Sequence, residues 1–224
     1  MPGAPPLLPD RCAVVVVDLQ NDYCHDEGAF ARLGYDVSRA QAVIPRVQEL
    51  ISAARREGVP VIFLRTTHGE WTDTEAWHWR PRAGSTSPDG RVPVVEEGTW
   101  GAELYRLRPE PGDRVIVKHR YSGFAFTPLE LALRAKRRDI VVLAGTTTNV
   151  CVEATAIDAL ALGFFTVLVR ECAVAPSIEV QAAATGDFAD HIGQVVSLDE
   201  LLRGWGVPAR QAAEGARSAG EPVT

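Results

Sequence analysis

Lysine, positive charge and long apolar runs are all scarce in this chain, and each shortage excludes something. Its 224 residues carry a formal net charge of -6, and no basic run exceeds Arg134–Arg138. Nucleic-acid binders usually present a basic face, so no nucleic-acid partner is expected. No apolar run approaches the ~20 residues that cross a bilayer, so no membrane span is expected. The opening segment, MPGAPPLLPD, has no charged region ahead of an apolar core and does not read as a signal peptide. There are only four cysteines, namely Cys12, Cys24, Cys151 and Cys172, and none share a CxxC spacing. So few in a chain this long do not make a disulfide scaffold. Free thiols and a cytoplasmic location are the expectation.

The shortage of lysine also draws attention to the positions that keep it. Of 23 basic residues, only Lys118 and Lys136 are lysines. Lys136 lies in a basic helix end, where cations are favoured. Lys118 closes the strand-like run Arg114–Lys118. It is either a spared surface lysine or a position that needs a compact ammonium, which arginine cannot imitate.

Hydrophobic content of 46% and charged content of 23% suit a globular protein with one sizeable core. Short β-branched runs recur at Cys12–Val17, Val59–Leu64, Val115–Val117, Ile140–Ala144, Phe164–Val169 and, weakly, Gln194–Val196. They are apolar on consecutive positions, as strands buried on both faces are. Helical patterns alternate with them: Val37–Glu57, the segment after Thr127-Pro128 through Arg138, Cys151–Leu162, Ser177–Asp190 and Leu198–Trp205. The alternation predicts a single-domain, Rossmann-like, three-layer α/β/α fold with a mostly parallel sheet of about six strands. It spans residues 1–206, with a flexible tail or arm at 207–224. A long lid-like insertion, 66–112, holds Trp71, Trp77, Trp79 and Trp100, and a weak helix is expected at Gly101–Leu107. Connections this long are usually functional.

In open parallel sheets, ligands bind beyond the carboxyl ends of the strands. There the first strand leads to Asp18, the third ends in Lys118, and the fourth leads through GTTTNVC to Cys151. Cys151 is expected at a helix mouth, where N–H groups and the helix dipole lower a thiol pKa. A carboxylate that takes the thiol proton, an ammonium that holds the carboxylate and a thiol nucleophile make a consistent hydrolytic set. Backbone N–H groups at Thr147 and Cys151 would serve as an oxyanion hole. Other readings stay open: Asp18 as a turn cap, Lys118 as its salt-bridge partner, and Cys151 as a small buried residue or a redox thiol. Cys12, Cys24 and Cys172 read as structural.

Three segments in order, VVVVDLQNDYC, VKHRYSGF and AGTTTNVCVEATAIDA, resemble the isochorismatase-like cysteine hydrolases. The resemblance is closest to the ureidoacrylate amidohydrolase and biuret hydrolase branch. It implies an Asp18–Lys118–Cys151 triad, a cis peptide at Thr146–Thr147 and an oxyanion hole at Thr147 and Cys151. It also implies Tyr23 as a ring lining the substrate pocket. Arg120 and Tyr121, just beyond the lysine, are candidate anchors for a carboxylate or polar tail of the substrate, with loop packing as the alternative for both. The expected activity is cleavage of a C–N bond in a small ureido, carbamoyl or carboxamide compound, without a cofactor, in a homo-oligomer (dimer or tetramer). A nicotinamidase-like amidase is the alternative, and a non-catalytic binding member a second one. Nicotinamidases carry an Asp-x-His metal motif, but the matching stretch here is Thr66-Thr67-His68. His68 alone, with His78 unplaced, is a poor metal site, so no metal is expected.

Overall fold

The computed structural model describes residues 5–79 and 92–207. The expected tail lies outside these residues apart from Val207, as does part of the insertion. All six apolar runs form strands of one sheet: β1 Cys12–Val17, β2 Val61–Thr66, β3 Arg114–Lys118, β4 Ile140–Thr146, β5 Phe165–Val174 and β6 Gln194–Val196. Their order is β3-β2-β1-β4-β5-β6, and every pairing is parallel. β1 and β4, adjacent in the sheet interior, are buried at every position.

Eight α-helices are present among the described residues: α1 Asn21–Cys24, α2 Ala29–Arg32, α3 Ser38–Arg56, α4 Glu75–Trp79, α5 Leu129–Ala135, α6 Glu153–Ala161, α7 Ile178–Asp187 and α8 Leu198–Gly204. Successive side chains of a strand point to opposite faces, and β1 shows the consequence. Cys12, Val14 and Val16 join a core with Ile44, Val47 and Leu50 of α3 and Leu201 of α8. Ala13, Val15 and Val17 join another with Leu129 and Leu133 of α5 and Ala156 of α6. The sheet is thus the middle of three layers. Each buried aliphatic side chain of α3 contributes roughly 1.5–3 kcal/mol, so packing of that face holds the helix. α8 starts at a capping box in which Ser197 and Glu200 satisfy each other's backbone N–H groups. None of the described helices is long and apolar enough to cross a membrane.

Several boundaries differ from the sequence expectation. β5 continues past Val169 to Val174, because its backbone stays paired to β4 after a register shift between Leu143 and Gly145. The polar pair Arg170-Glu171 hid that extension. The helix expected from Cys151 begins at Glu153, after a wider π-type turn over Thr148–Val152. The helix after Thr127-Pro128 runs only from Leu129 to Ala135, ending in a turn where Arg137 adopts φ 54°. No α-helix forms at Gly101–Leu107; a 3₁₀ turn at Trp100–Ala102 stands there instead. Leu104 bridges Gln20 in antiparallel fashion, and the Tyr105 N–H donates to Leu19 O at 2.8 Å. Pairing with the chain that leaves β1 displaced the helix.

Gly145 shows how closely the central strands approach at this edge. Its φ is +120°, and a Cβ there would lie 2.0 Å from Val17 O. Gly145→Ala therefore combines backbone strain with a main-chain clash. We expect it to cost about 3 kcal/mol or more, read as a lower urea midpoint.

Cys12, Cys24 and Cys172 are free and buried. Burial pushes the Cys12 thiol up to about 11 and the Cys24 thiol up to about 12, and it raises Cys172 as well. An unfolded chain loses these protons from about pH 8.5. Above that pH the folded state binds more protons than the unfolded one, so stability falls with rising pH. The urea midpoint should be level below about pH 8 and decline through about 11, where Cys12 titrates. The decline should be shallower in Cys172→Ala.

Candidate active site

Asp18, Thr66, Lys118 and Thr146 stand at the carboxyl ends of β1, β2, β3 and β4, so parallel pairing alone brings them to one edge. Asp18 follows β1 in a left-handed conformation, φ 51°. Its side chain is 1% exposed and that of Lys118 0%. Lys118 Nζ lies 2.7 Å from Asp18 Oδ2 and donates to Thr66 Oγ1 at 2.7 Å and to Arg120 O at 3.0 Å. Thr66 Oγ1 donates in turn to Asp18 Oδ1 at 2.9 Å. Asp18 Oδ2 is the carboxylate oxygen against the ammonium.

The Cys151 thiol meets both Asp18 and Lys118. Burial works first to lower the Lys118 pKa, but the charges of Asp18 and Cys151 outweigh it and the net shift is upward. Burial pushes the Cys151 thiol up to about 12; Lys118 opposes the rise and Asp18 adds to it. This corrects the expectation of a thiol acidified by a helix mouth. Cys151 lies in the π-type turn rather than at the first turn of α6, and desolvation beside a carboxylate dominates. The shift favours a thiol, lying next to a carboxylate, as the resting form of the sulfur. The turn is held from both sides: Thr155 Oγ1 donates to Cys151 O at 2.6 Å and accepts from Gly123 N at 2.9 Å. The Thr146–Thr147 peptide is cis.

These groups open on a cavity of about 340 Å³. All the residues singled out in the sequence line it: Asp18, Tyr23, Lys118, Arg120, Tyr121, Thr147 and Cys151. Arg120 Nη1 donates to Thr72 O at 3.0 Å and His119 O at 2.6 Å, and its guanidinium lies 5.1 Å from the Trp77 ring centroid. No carboxylate is paired with Arg120 among the described residues. Trp77 also packs against Tyr121 in a tilted contact, with ring centroids 4.8 Å apart.

Sequence reasoning missed several wall residues. Trp77 was visible only as one of four tryptophans in the insertion. Phe30 packs edge-on against Tyr23 at 4.8 Å and Tyr35 lies 4.9 Å from Phe30, but neither sits in a motif. Thr66 carries the one usable signal, its place at a strand end between Asp18 and Lys118. His68 lines the cavity with its Nδ1 2.9 Å from Asp73 Oδ1. No cluster of three or more His, Cys, Asp or Glu placed to hold a metal occurs among the described residues. Buried polar contacts fix the insertion over the site. The Asp22 carboxylate accepts from Ala29 N at 2.9 Å and Val95 N at 2.6 Å.

Removing one partner of a buried ion pair leaves the other charge desolvated and unpaired. Lys118→Met should destabilise the fold by about 3–5 kcal/mol. Adding Asp18→Asn should return part of that loss, which chemical denaturation of both single variants and the double variant will measure.

Comparison with known proteins places this geometry. The family described as Isochorismatase domain matches residues 12–200. A ureidoacrylate amidohydrolase from Methylobacterium radiotolerans is 33% identical, the match covering 92% of this chain and 84% of the relative. Among solved structures, a cysteine hydrolase from Pseudomonas syringae pv. phaseolicola superposes with a TM-score of 0.76 at 29% identity, over 91% of this chain and 98% of that one. An N-carbamoylsarcosine amidase from Thermoplasma acidophilum gives 0.67 at 28% identity, over 84% of this chain and 96% of that one. Matched over most of its length in sequence and in three-layer architecture, the chain belongs to the isochorismatase-like hydrolase family.

Proposed function

We propose that the protein is a cysteine-dependent amidohydrolase that cleaves a C–N bond of a small ureido, carbamoyl or carboxamide compound. The observation that carries the reading is a thiol beside a buried carboxylate–ammonium pair, all three lining one cavity. Cys151 Sγ attacks the carbonyl carbon while its proton passes to Asp18. Lys118 holds the carboxylate in place and balances charge as the thiolate forms. The N–H groups of Thr147 and Cys151 receive the oxyanion. Asp18 then protonates the leaving nitrogen, which departs as ammonia or amine and leaves an S-acyl or S-carbamoyl enzyme. Asp18 takes a proton from the incoming water, which attacks that intermediate. Collapse releases acid or carbamate and restores the thiol with the same proton.

The relative named ureidoacrylate amidohydrolase and the neighbour named N-carbamoylsarcosine amidase support a ureido or carbamoyl substrate. Arg120, stacked on Trp77 with no carboxylate partner among the described residues, suits a carboxylate on that substrate. Tyr121 and Tyr23 complete the binding wall. We further propose that residues 1–206 act as one domain with a tail from 207, that the insertion 66–112 serves as a lid, and that the enzyme works as a homo-oligomer in the cytoplasm.

A panel of ureidoacrylate, biuret, N-carbamoyl amino acids and nicotinamide, scored by ammonia release with and without chelator, tests the substrate class. Turnover of the ureido or carbamoyl compounds, indifferent to chelator, is the expected result. Chelator-sensitive turnover of nicotinamide alone would favour the nicotinamidase-like reading. Cys151→Ala should abolish release. Unchanged turnover in that variant would remove the mechanism.

A further inference from the structure

We propose that Thr66 is a positioning residue that holds the Asp18 carboxylate in the orientation from which it takes the Cys151 proton. The proposal rests on the amidohydrolase reading above and adds a member that no motif marks. Thr66 Oγ1 stands between the two charged partners, 2.7 Å from Lys118 Nζ and 2.9 Å from Asp18 Oδ1. An ammonium only donates, and a hydroxyl has a single proton. With Lys118 donating to the oxygen, that proton must point at Asp18 Oδ1. Oδ1 is therefore held by the hydroxyl and Oδ2 by the ammonium 2.7 Å away. Anchored at both oxygens, the carboxylate keeps one orientation and still has lone pairs free for the thiol proton.

The arrangement is rigid. Thr66 is 4% exposed and Gln20 0%. Gln20 Oε1 accepts from Thr66 N, and Gln20 Nε2 donates to Thr66 O and to Ala102 O, each at 2.8 Å. The main chain of Thr66 is thus clamped on both sides by one buried amide. A β-branched side chain also has few rotamers to choose from. The titratable groups that face Asp18 are Lys118 from β3, Cys151 from the π-type turn and Cys24 from α1. The two thiols are weaker donors than a hydroxyl. A charged side chain in place of Thr66 would unbalance the ion pair.

When Cys151 attacks, its S–H bond breaks as the S–C bond forms, and the proton goes to the Asp18 carboxylate with no change of oxidation state. Without the Thr66 hydroxyl, Oδ1 loses its donor and the carboxylate is free to turn. Loss then falls on the proton-transfer step and leaves substrate binding alone.

Thr66→Val keeps the shape and removes the hydroxyl; Thr66→Ser keeps the hydroxyl. Both are compared with wild type and Cys151→Ala, using the panel compound that releases ammonia fastest. The valine variant should lose tenfold or more in kcat with KM changed less than about threefold, and serine should restore kcat to within about tenfold of wild type. A smaller loss in valine, a loss carried by KM, or a serine variant as slow as valine overturns the proposal. If the valine variant does not fold, serine decides alone: kcat within about tenfold supports the assignment and a greater loss overturns it. A dead Cys151→Ala beside an unaffected Thr66→Val removes this inference but leaves the amidohydrolase. A fully active Cys151→Ala, or a wild type that turns over no panel compound, removes both.

Discussion

A buried ion pair organises this molecule. Asp18 and Lys118 meet at 2.7 Å with almost no exposure, and taking both charges out of water costs several kcal/mol for each ion. Their attraction repays that cost only with good geometry and further hydrogen bonds. The strand edge supplies these: Thr66 Oγ1 and Arg120 O accept from the ammonium, and Thr66 donates to the carboxylate. A buried pair seldom stabilises a fold more than apolar side chains of the same volume would. Its position beside the Cys151 thiol, at the mouth of a cavity, gives the pair a chemical rationale that stability does not.

The sheet sets the distances this pair requires. Adjacent strands lie ≈ 4.7–4.9 Å apart, and β3, β2, β1 and β4 are neighbours in that order. Residues that end these strands are therefore held within reach of one another. Gly145 lets β4 close on β1 at the point where Cys151's turn departs. Above the edge, Gln20 and Asp22, the residues that follow β1, are buried and bond to the insertion. One short stretch thereby ties the ion pair, the cavity roof and the central strand together.

Much of the fold was legible because its signals are local. Strands covered on both faces, β1 and β4 above all, read as unbroken apolar runs; all six runs became strands, but the edge strand β3 leaves Val115 and Val117 exposed, against the expectation of burial on both faces. α3 showed its buried face as a helical period. Where the reading slipped, a non-local partner was responsible. β5 carries the polar pair Arg170-Glu171 and remains a strand because β4 pairs with it. Gly101–Leu107 forms no α-helix because Gln20 and Leu19 claim its backbone. In the site, Asp18, Lys118 and Cys151 were visible as chemical types at strand ends, Tyr23 through resemblance, and Arg120 and Tyr121 by their place just beyond the lysine. Thr66 was not, since threonine at the end of a strand is unremarkable until its hydroxyl is seen between two charges. Phe30, Tyr35 and Trp77 entered the wall from segments with no period to read.

By itself the sequence determined the alternation of buried strands and amphipathic helices, the parallel sheet that follows from it, and the chemical types offered at the sheet's carboxyl edge. Hydrophobic period and residue identity are local properties and survive in one dimension. Only the tertiary structure decided that Thr66 bridges the two charges, that Arg120 stacks on Trp77, and that the Cys151 thiol is pushed up rather than down. Those depend on distances between strand ends and on how completely each group is removed from water. Burial reversed the effect that a helix mouth alone would have had on the thiol, because desolvation beside a carboxylate outweighs the nearby ammonium.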